Sequence, residues 1–287
     1  MHRIAVEIDR LGGKMKKDYE FLKTKADVIR KLVVEMIGRL GVGHIGGALS
    51  IVDILTYLYY KEMKVDPKNP NDSNRDRLVL SKGHAGPALY AVLADKGYFP
   101  MEEIKTLNRP GTNLPSHCDM NKTKGVDMTA GSLGQGLSAA VGMALASKLD
   151  NMDNYVYAII GDGEAQEGQI YEALMFAGNK KLNNLIVFLD NNKMQIDGMT
   201  EEINDIEPFD KKGEAFKFFT QRINGHCFES IDEAVKRAKA QKEQASLIIL
   251  DTVKGKGFKF AEELGVGCHS ASYDEKTWRE YCNKWED

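Results

Sequence analysis

The 287-residue sequence has little that would place it in a membrane, an oxidising compartment or a nucleic-acid complex. No apolar run approaches the ~18 residues needed to span a bilayer, and the opening MHRIAVEIDR carries acids where a secretory leader would be apolar. A cytoplasmic, membrane-free protein is expected. There are four cysteines (Cys118, Cys227, Cys268, Cys282) and no CxxC pair, so neither a zinc knuckle nor a dithiol redox site is indicated. Cys118, beside His117, is expected to be a small packing residue. The formal charge is only -3, which excludes the basic footprint of a nucleic-acid binder. Proline is sparse at seven residues, and 43% of the chain is hydrophobic, which is globular usage.

What is present is organised around residues 161–198. An apolar strand (Tyr155 to Ile160) runs into Gly161-Asp162-Gly163, a helix follows, and a second apolar strand (Leu185 to Leu189) ends in Asp190-Asn191-Asn192. In a parallel sheet the carboxyl ends of neighbouring strands lie side by side, and ligands bind in the crevice there. Asp162 and Asn192 are therefore expected to converge. A carboxylate, an amide oxygen and a nearby carbonyl suit Mg²⁺ or Ca²⁺, and Mg²⁺ prefers to share its shell with phosphate oxygens. The flanking glycines let a bulky anion approach the backbone.

Around this unit the chain alternates helices and short buried strands. Ile29, Leu32, Val33, Met36, Ile37 and Leu40 give a helical period from Thr24. Residues 41–46 match GxGxxG but follow a helix, so they are read as a glycine-rich loop presenting His44 and not as a dinucleotide fingerprint. A second apolar helix is expected from Ala48 to Tyr60, and a surface excursion at 66–74. A strand from Arg77 to Leu80 ends in Ser81-Lys82-Gly83-His84, and a helix follows from Pro87 to Lys96. An aperiodic stretch carries His117, and Gly131-Ser-Leu-Gly-Gln-Gly136 opens a small-residue helix, Leu137 to Lys148. Ser230 and Glu233 read as a capping box before a helix at Ile231–Gln241. Leu247 to Leu250 is a further buried strand. The cluster Lys254-Gly-Lys-Gly-Phe-Lys259 is expected to be a solvated loop, with phosphate contact as the minority alternative, and Asp274 to Trp285 a terminal helix.

Gly-Asp-Gly, then 27 residues, then Asn-Asn resembles the thiamine diphosphate motif. With His44, SKGH, the His117 loop and GSLGQG, the order of features from Lys25 to His269 resembles the N-terminal third of transketolase. The resemblance implies an α/β thiamine-diphosphate-binding fold, a central mostly parallel sheet with helices on both faces. It implies residues 1–24 as an N-terminal extension and 25–287 as one diphosphate-binding domain. By the same resemblance, Asp162, Asn192 and the Met194 carbonyl would hold Mg²⁺, with Ca²⁺ or Mn²⁺ as substitutes. Gly131 and Leu133 would border the aminopyrimidine. Gly161, Gly163 and His84 would lie against the cofactor, and Asp190 and Asn191 would support the ion.

His44, His84, His117 and His269 match positions around the thiazolium and donor sugar, where histidine can hold or transfer protons. Glu167 matches a glutamate near the contact linking paired sites. His2 and His226 match nothing and are expected to be peripheral. The activating glutamate of the family belongs to a second domain, absent before Asp287. The implied protein is the N-terminal subunit of a split transketolase, acting on sugar phosphates. Its partner would be a C-terminal subunit with the pyrimidine-binding domain, in an α2β2 assembly. A 2-oxoacid dehydrogenase α subunit shares GDG…NN but fits SKGH and GSLGQG poorly. A deoxyxylulose phosphate synthase would be one longer chain, and a non-catalytic cofactor-binding protein need not keep the ligands and histidines.

Overall fold

In the computed structural model, residues 2–196 and 198–284 are described, with side chains from residue 15 onward. The chain opens with a long helix, α1 (His2–Leu40). It begins well before the expected Thr24. Tyr19 and Leu22 lie in the same buried cluster as Ile29, Val33 and Ile37, so the apolar stripe continues upstream. The side chain of His2 lies outside the described residues. β1 (Val42–Gly43) follows, then α2 (Ile45–Leu49) and α3 (Val52–Tyr57). The expected continuous helix from Ala48 is thus broken at Ser50 and Ile51.

β2 (Arg77–Leu80) leads into α4 (Gly86–Lys96), and α5 (Gln135–Leu149) precedes β3 (Val156–Gly161). The central unit is β3, α6 (Gly168–Asn179) and β4 (Leu185–Asn191). Two short helices, α7 (Thr200–Asn204) and α8 (Phe209–Ala215), precede β5 (Phe219–Asn224). Next come α9 (Phe228–Ala240), β6 (Ser246–Asp251), α10 (Lys259–Glu263), β7 (Ala271–Ser272) and α11 (Glu275–Asn283). Ser230 lies inside α9, which starts at Phe228 without a side-chain cap, so the expected capping box does not form. Asp232 is instead buried, accepting the Tyr19 and Tyr57 hydroxyls at 2.7 and 2.9 Å.

The five-stranded sheet has the order β2-β3-β4-β6-β5, and every pairing in it is parallel. Parallel strands with helices on both faces must be apolar on both sides, and β3 and β4 are buried at every residue. Alternate residues feed two cores. Tyr157, Ile159, Phe188 and Ile248 pack with α1, α3, α4 and α9, whereas Ala158, Ile160, Val187, Leu189 and Ile249 pack with α5 and α6. The register pairs Gly161 with Asp190 and Asn191 with Asp251, so the carboxyl ends of β3, β4 and β6 are level. β1 and β7 form a separate antiparallel pair that ties His44 to the segment after His269. Among the described residues no helix is long and apolar enough to cross a membrane.

Candidate active site

A cavity of about 420 Å³ opens over those level strand ends. Its lining includes His44, His84, His117, His269, Gly131, Leu133, Gly161, Asp162, Gly163, Asn192 and Met194. All but one of the residues expected in the site are therefore brought together. The exception is Glu167, which lies exposed at the start of α6 outside the cavity, with Gly134 packed close to its Cβ.

The ligand side is built by hydrogen bonds that aim oxygens. Asp162 accepts the Gly163 N–H at 2.8 Å and the Lys193 N–H at 2.5 Å, which fixes its carboxylate. Asn192 donates through Nδ2 to Asp190 at 2.9 Å and accepts the Met194 N–H on Oδ1 at 3.1 Å. Because Asp190 takes the amide NH₂, the amide oxygen is left facing the Met194 side. Burial, then the neighbouring Asp190 charge, pushes the Asp162 carboxyl up to about 6. Bringing a cation beside it would relieve that cost. Among the described residues no three His, Cys, Asp or Glu side chains are grouped to hold a metal. A set of one carboxylate, one amide oxygen and one backbone carbonyl is the hard-oxygen chemistry of Mg²⁺ with phosphate and water completing the shell.

Asp190 is the anchor of this corner. It is fully buried and pairs with the equally buried Lys82 at 2.5 Å. It also accepts from Ser50 at 2.7 Å and Thr252 at 2.5 Å. Burial raises its carboxyl, but Lys82 and the hydroxyl donors outweigh that and hold it below the usual range.

The four histidines form one cluster, with ring centroids of His44 lying 5.3 Å from His84, 5.5 Å from His117 and 5.3 Å from His269. Burial, reinforced by Lys82 and the other rings, lowers His84 to about 2, and burial with Lys254 lowers His269 to about 4. His44 and His117 are shifted down as well, chiefly by burial. At neutral pH all four are uncharged, each ring offering one donor and one acceptor. His84 sits on a tight turn after β2. An added Cβ at Gly83 would fall 2.0 Å from the Ala130 carbonyl, so only glycine lets this turn approach the 130–134 loop.

Three further residues of this corner were not singled out from sequence. Lys254, expected in a solvated loop, is 4% exposed and lines the cavity, with Nζ 3.2 Å from the Met194 carbonyl and 3.5 Å from His269 Nδ1. Burial lowers its ammonium. Lys82 was visible inside SKGH, but nothing in that motif names Asp190 as its partner. Glu164 is buried and accepts from the backbone N–H groups of Gly134 at 2.9 Å and Gly161 at 3.1 Å, and from Ser81. It thereby joins the 131–134 loop to the end of β3. His226, expected at the periphery, is held between Asp53 and the backbone of Val253.

Residues 22–285 match the family model for the transketolase thiamine diphosphate binding domain. The chain belongs to the transketolase family. It is 58% identical over 258 residues to the 6-deoxy-6-sulfo-D-fructose transketolase subunit SqwG of Clostridium sp. strain MSTE9, covering 90% of this chain and 94% of that one. It is 38% identical over 257 residues to an apulose-4-phosphate transketolase subunit of Phocaeicola vulgatus, covering 90% and 91%. Both relatives are named as subunits, and this chain is likewise an N-terminal transketolase subunit. The crystal structure of transketolase from Campylobacter jejuni superimposes with a TM-score of 0.84 at 34% identity, covering 92% of this chain and 43% of that chain. The chain therefore spans about two-fifths of that solved transketolase.

Proposed function

We propose that this chain is the diphosphate-binding subunit of a split transketolase, moving a two-carbon ketol unit from a ketose with an anionic tail to an aldose phosphate. The observation that carries the reading is the convergence of Asp162, Asn192 and the Met194 carbonyl with four neutral histidines in one cavity. Asp162, Asn192 and the Met194 carbonyl would hold Mg²⁺ against the diphosphate of thiamine diphosphate, and Gly131 and Leu133 would border its pyrimidine. When bound, the cofactor supplies the nucleophilic carbon and the electron sink for C–C cleavage.

The chain's own groups bind, orient and handle protons. The uncharged rings of His44, His84, His117 and His269 accept from donor hydroxyls on one nitrogen and donate on the other, so a proton can leave or return to a sugar oxygen within hydrogen-bond reach. Lys254 and Lys82 place positive charge beside the diphosphate end of the cavity. The glutamate that activates the pyrimidine would come from a partner subunit, with the two chains assembled in the cytoplasm as α2β2 and Glu167 close to the contact between halves.

Between the two named donors we favour a sulfonated ketose, 6-deoxy-6-sulfo-D-fructose, because the relative so named is 58% identical against 38% for the apulose-4-phosphate relative. Removing C1 and C2 from that six-carbon donor leaves a four-carbon sulfo-aldose, and the acceptor aldose grows by two carbons. The test is to purify the chain with a candidate pyrimidine-domain subunit and assay transfer from the sulfoketose, from fructose 6-phosphate and from apulose 4-phosphate. Turnover should need both chains and be fastest with the sulfoketose. Robust turnover by this chain alone, or none from any donor with the partner present, would overturn the reading.

A further inference from the structure

The loop that delivers Lys254 has no strand or helix of its own to hold it. It spans residues 252–258, and both Gly255 (φ +82°) and Gly257 (φ +86°) take left-handed backbone. Its backbone is held by the Gly255 N–H on the Gly46 carbonyl at 3.0 Å and the Gly257 N–H on Glu262 at 2.8 Å, and two more bonds grip it on either side of Lys254. The Val253 N–H donates to Nε2 of His226 at 2.9 Å, and the Lys256 carbonyl accepts from Arg30 Nε at 3.2 Å. Asp53 joins the two grips, since its Oδ2 lies 2.5 Å from Arg30 Nη2 and 2.7 Å from His226 Nδ1.

A backbone N–H can only donate, so Nε2 of His226 must be bare, and the ring proton sits on Nδ1 and donates to Asp53. Asp53 is 4% exposed; burial pushes its carboxyl up, but His226 and Arg30 prevail and keep it ionised. The three residues come from α1, from α3 and from the turn after β5, and they meet at this loop. A Cβ at Gly257 would strike Arg30 Cδ at 2.7 Å, so the sequence leaves room for the approach.

We infer that His226, with Asp53 and Arg30, is a positioning clamp that holds the 253–256 loop so that Lys254 reaches the Met194 carbonyl and His269. The inference rests on the proposed function in that it places the cofactor in this cavity. A buried ammonium swings outward unless its loop is fixed, because the long side chain recovers hydration as soon as the backbone yields. A clamp that served stability alone would leave cofactor affinity untouched when loosened.

The experiment uses the enzyme assembled with its partner subunit, and compares wild type, His226→Ala, His226→Gln, Lys254→Ala and the His226→Ala/Lys254→Ala double variant. The thiamine diphosphate Kd is measured by calorimetry, with kcat, KM and Tm alongside. His226→Ala should weaken cofactor binding about tenfold, the scale of losing a group that orients a ligand-contacting residue. His226→Gln, which keeps one acceptor and one donor, should recover most of it. The double variant should bind no more weakly than Lys254→Ala, because the clamp acts through that lysine. A lowered Tm with unchanged Kd, or fully additive losses in the double variant, would overturn the clamp. If His226→Ala does not fold, His226→Asn, whose amide is too short to span Asp53 and Val253, takes its place in every comparison. Failure of the wild-type assembly to bind thiamine diphosphate would instead sink the functional reading beneath it.

Discussion

Replacing Asp190 by asparagine tests the anchor on which the cofactor corner is built. Asp190 and Lys82 are both essentially excluded from solvent, and they are 2.5 Å apart. Asparagine retains an acceptor for Ser50 or Thr252 but leaves the Lys82 ammonium buried without a counter-charge. Breaking a buried pair from one side costs about 3–5 kcal/mol, because the survivor keeps its desolvation penalty. At roughly 2 °C per kcal/mol for a chain of this size, the melting temperature should drop by about 6–10 °C. Adding Lys82→Met removes the stranded charge, so the double variant should regain at least ~2 kcal/mol over Asp190→Asn. Asn192 also loses the acceptor that orients its amide, so cofactor affinity should weaken with stability. Urea denaturation of wild type, both single variants and the double variant gives the cycle. A loss below ~1 kcal/mol for Asp190→Asn, or no recovery in the double variant, would refute the reasoning.

Asp162→Ala removes the charged member of the proposed ion site, and affinity for thiamine diphosphate in the assembled enzyme should fall about 100-fold or more, with Asn192→Ala acting in the same direction more weakly; calorimetry showing unchanged affinity would sink the ligand assignment. His117→Ala and His269→Ala should cut kcat by ~10²-fold or more, or raise KM, while cofactor affinity is largely retained, and steady-state kinetics beside binding isotherms separates the two. His84 and His269 are lowered to about 2 and about 4, so between those values and about 6.5 the unfolded chain binds protons that the folded chain refuses. Folding stability should therefore be fully present above pH ~6.5 and decline as pH falls, by up to ~1.4 kcal/mol per pH unit for each histidine. His84→Gln should flatten that slope in denaturation series taken between pH 7 and pH 5, and an unchanged slope would contradict the burial argument.

Much of the fold was legible because burial on both faces leaves a plain mark. The strands expected at Arg77–Leu80 and near 155–160, 185–189 and 247–250 are β2, β3, β4 and β6, and each contains an unbroken run of three or more apolar residues. β5 was not read because it is an edge strand with no fully buried residue, and its Thr220, Gln221 and Arg222 carry no such run, unlike the other edge strand β2 with its buried Leu78, Val79 and Leu80. The helix expected from Ala48 was read as continuous because apolar period alone cannot show that Ser50 turns its hydroxyl toward Asp190, 140 residues away. Glycine spacing and histidine context pointed to the cavity residues and the ring cluster, whereas the 254–259 cluster was read mainly as a solvated loop.

The residues whose partners the sequence did not show lie in one kind of place. Lys82 lies two residues beyond the end of β2, Glu164 three beyond β3, Lys254 three beyond β6, and His226 two beyond β5. In a parallel sheet the residues just past a strand's carboxyl end are carried to the crevice by the strand itself, whatever their hydropathy. A charged or titratable side chain at that position has a buried oxygen, amide or ring within reach from the neighbouring strand end, as Asp190 meets Lys82 and the Met194 carbonyl meets Lys254. Counting two to four residues past the strand ends expected from sequence, at Leu80, Ile160 and Leu250, would thus have reached Lys82, Glu164 and Lys254. It would not have named His226, because the strand that carries it gives no apolar signal from which to count.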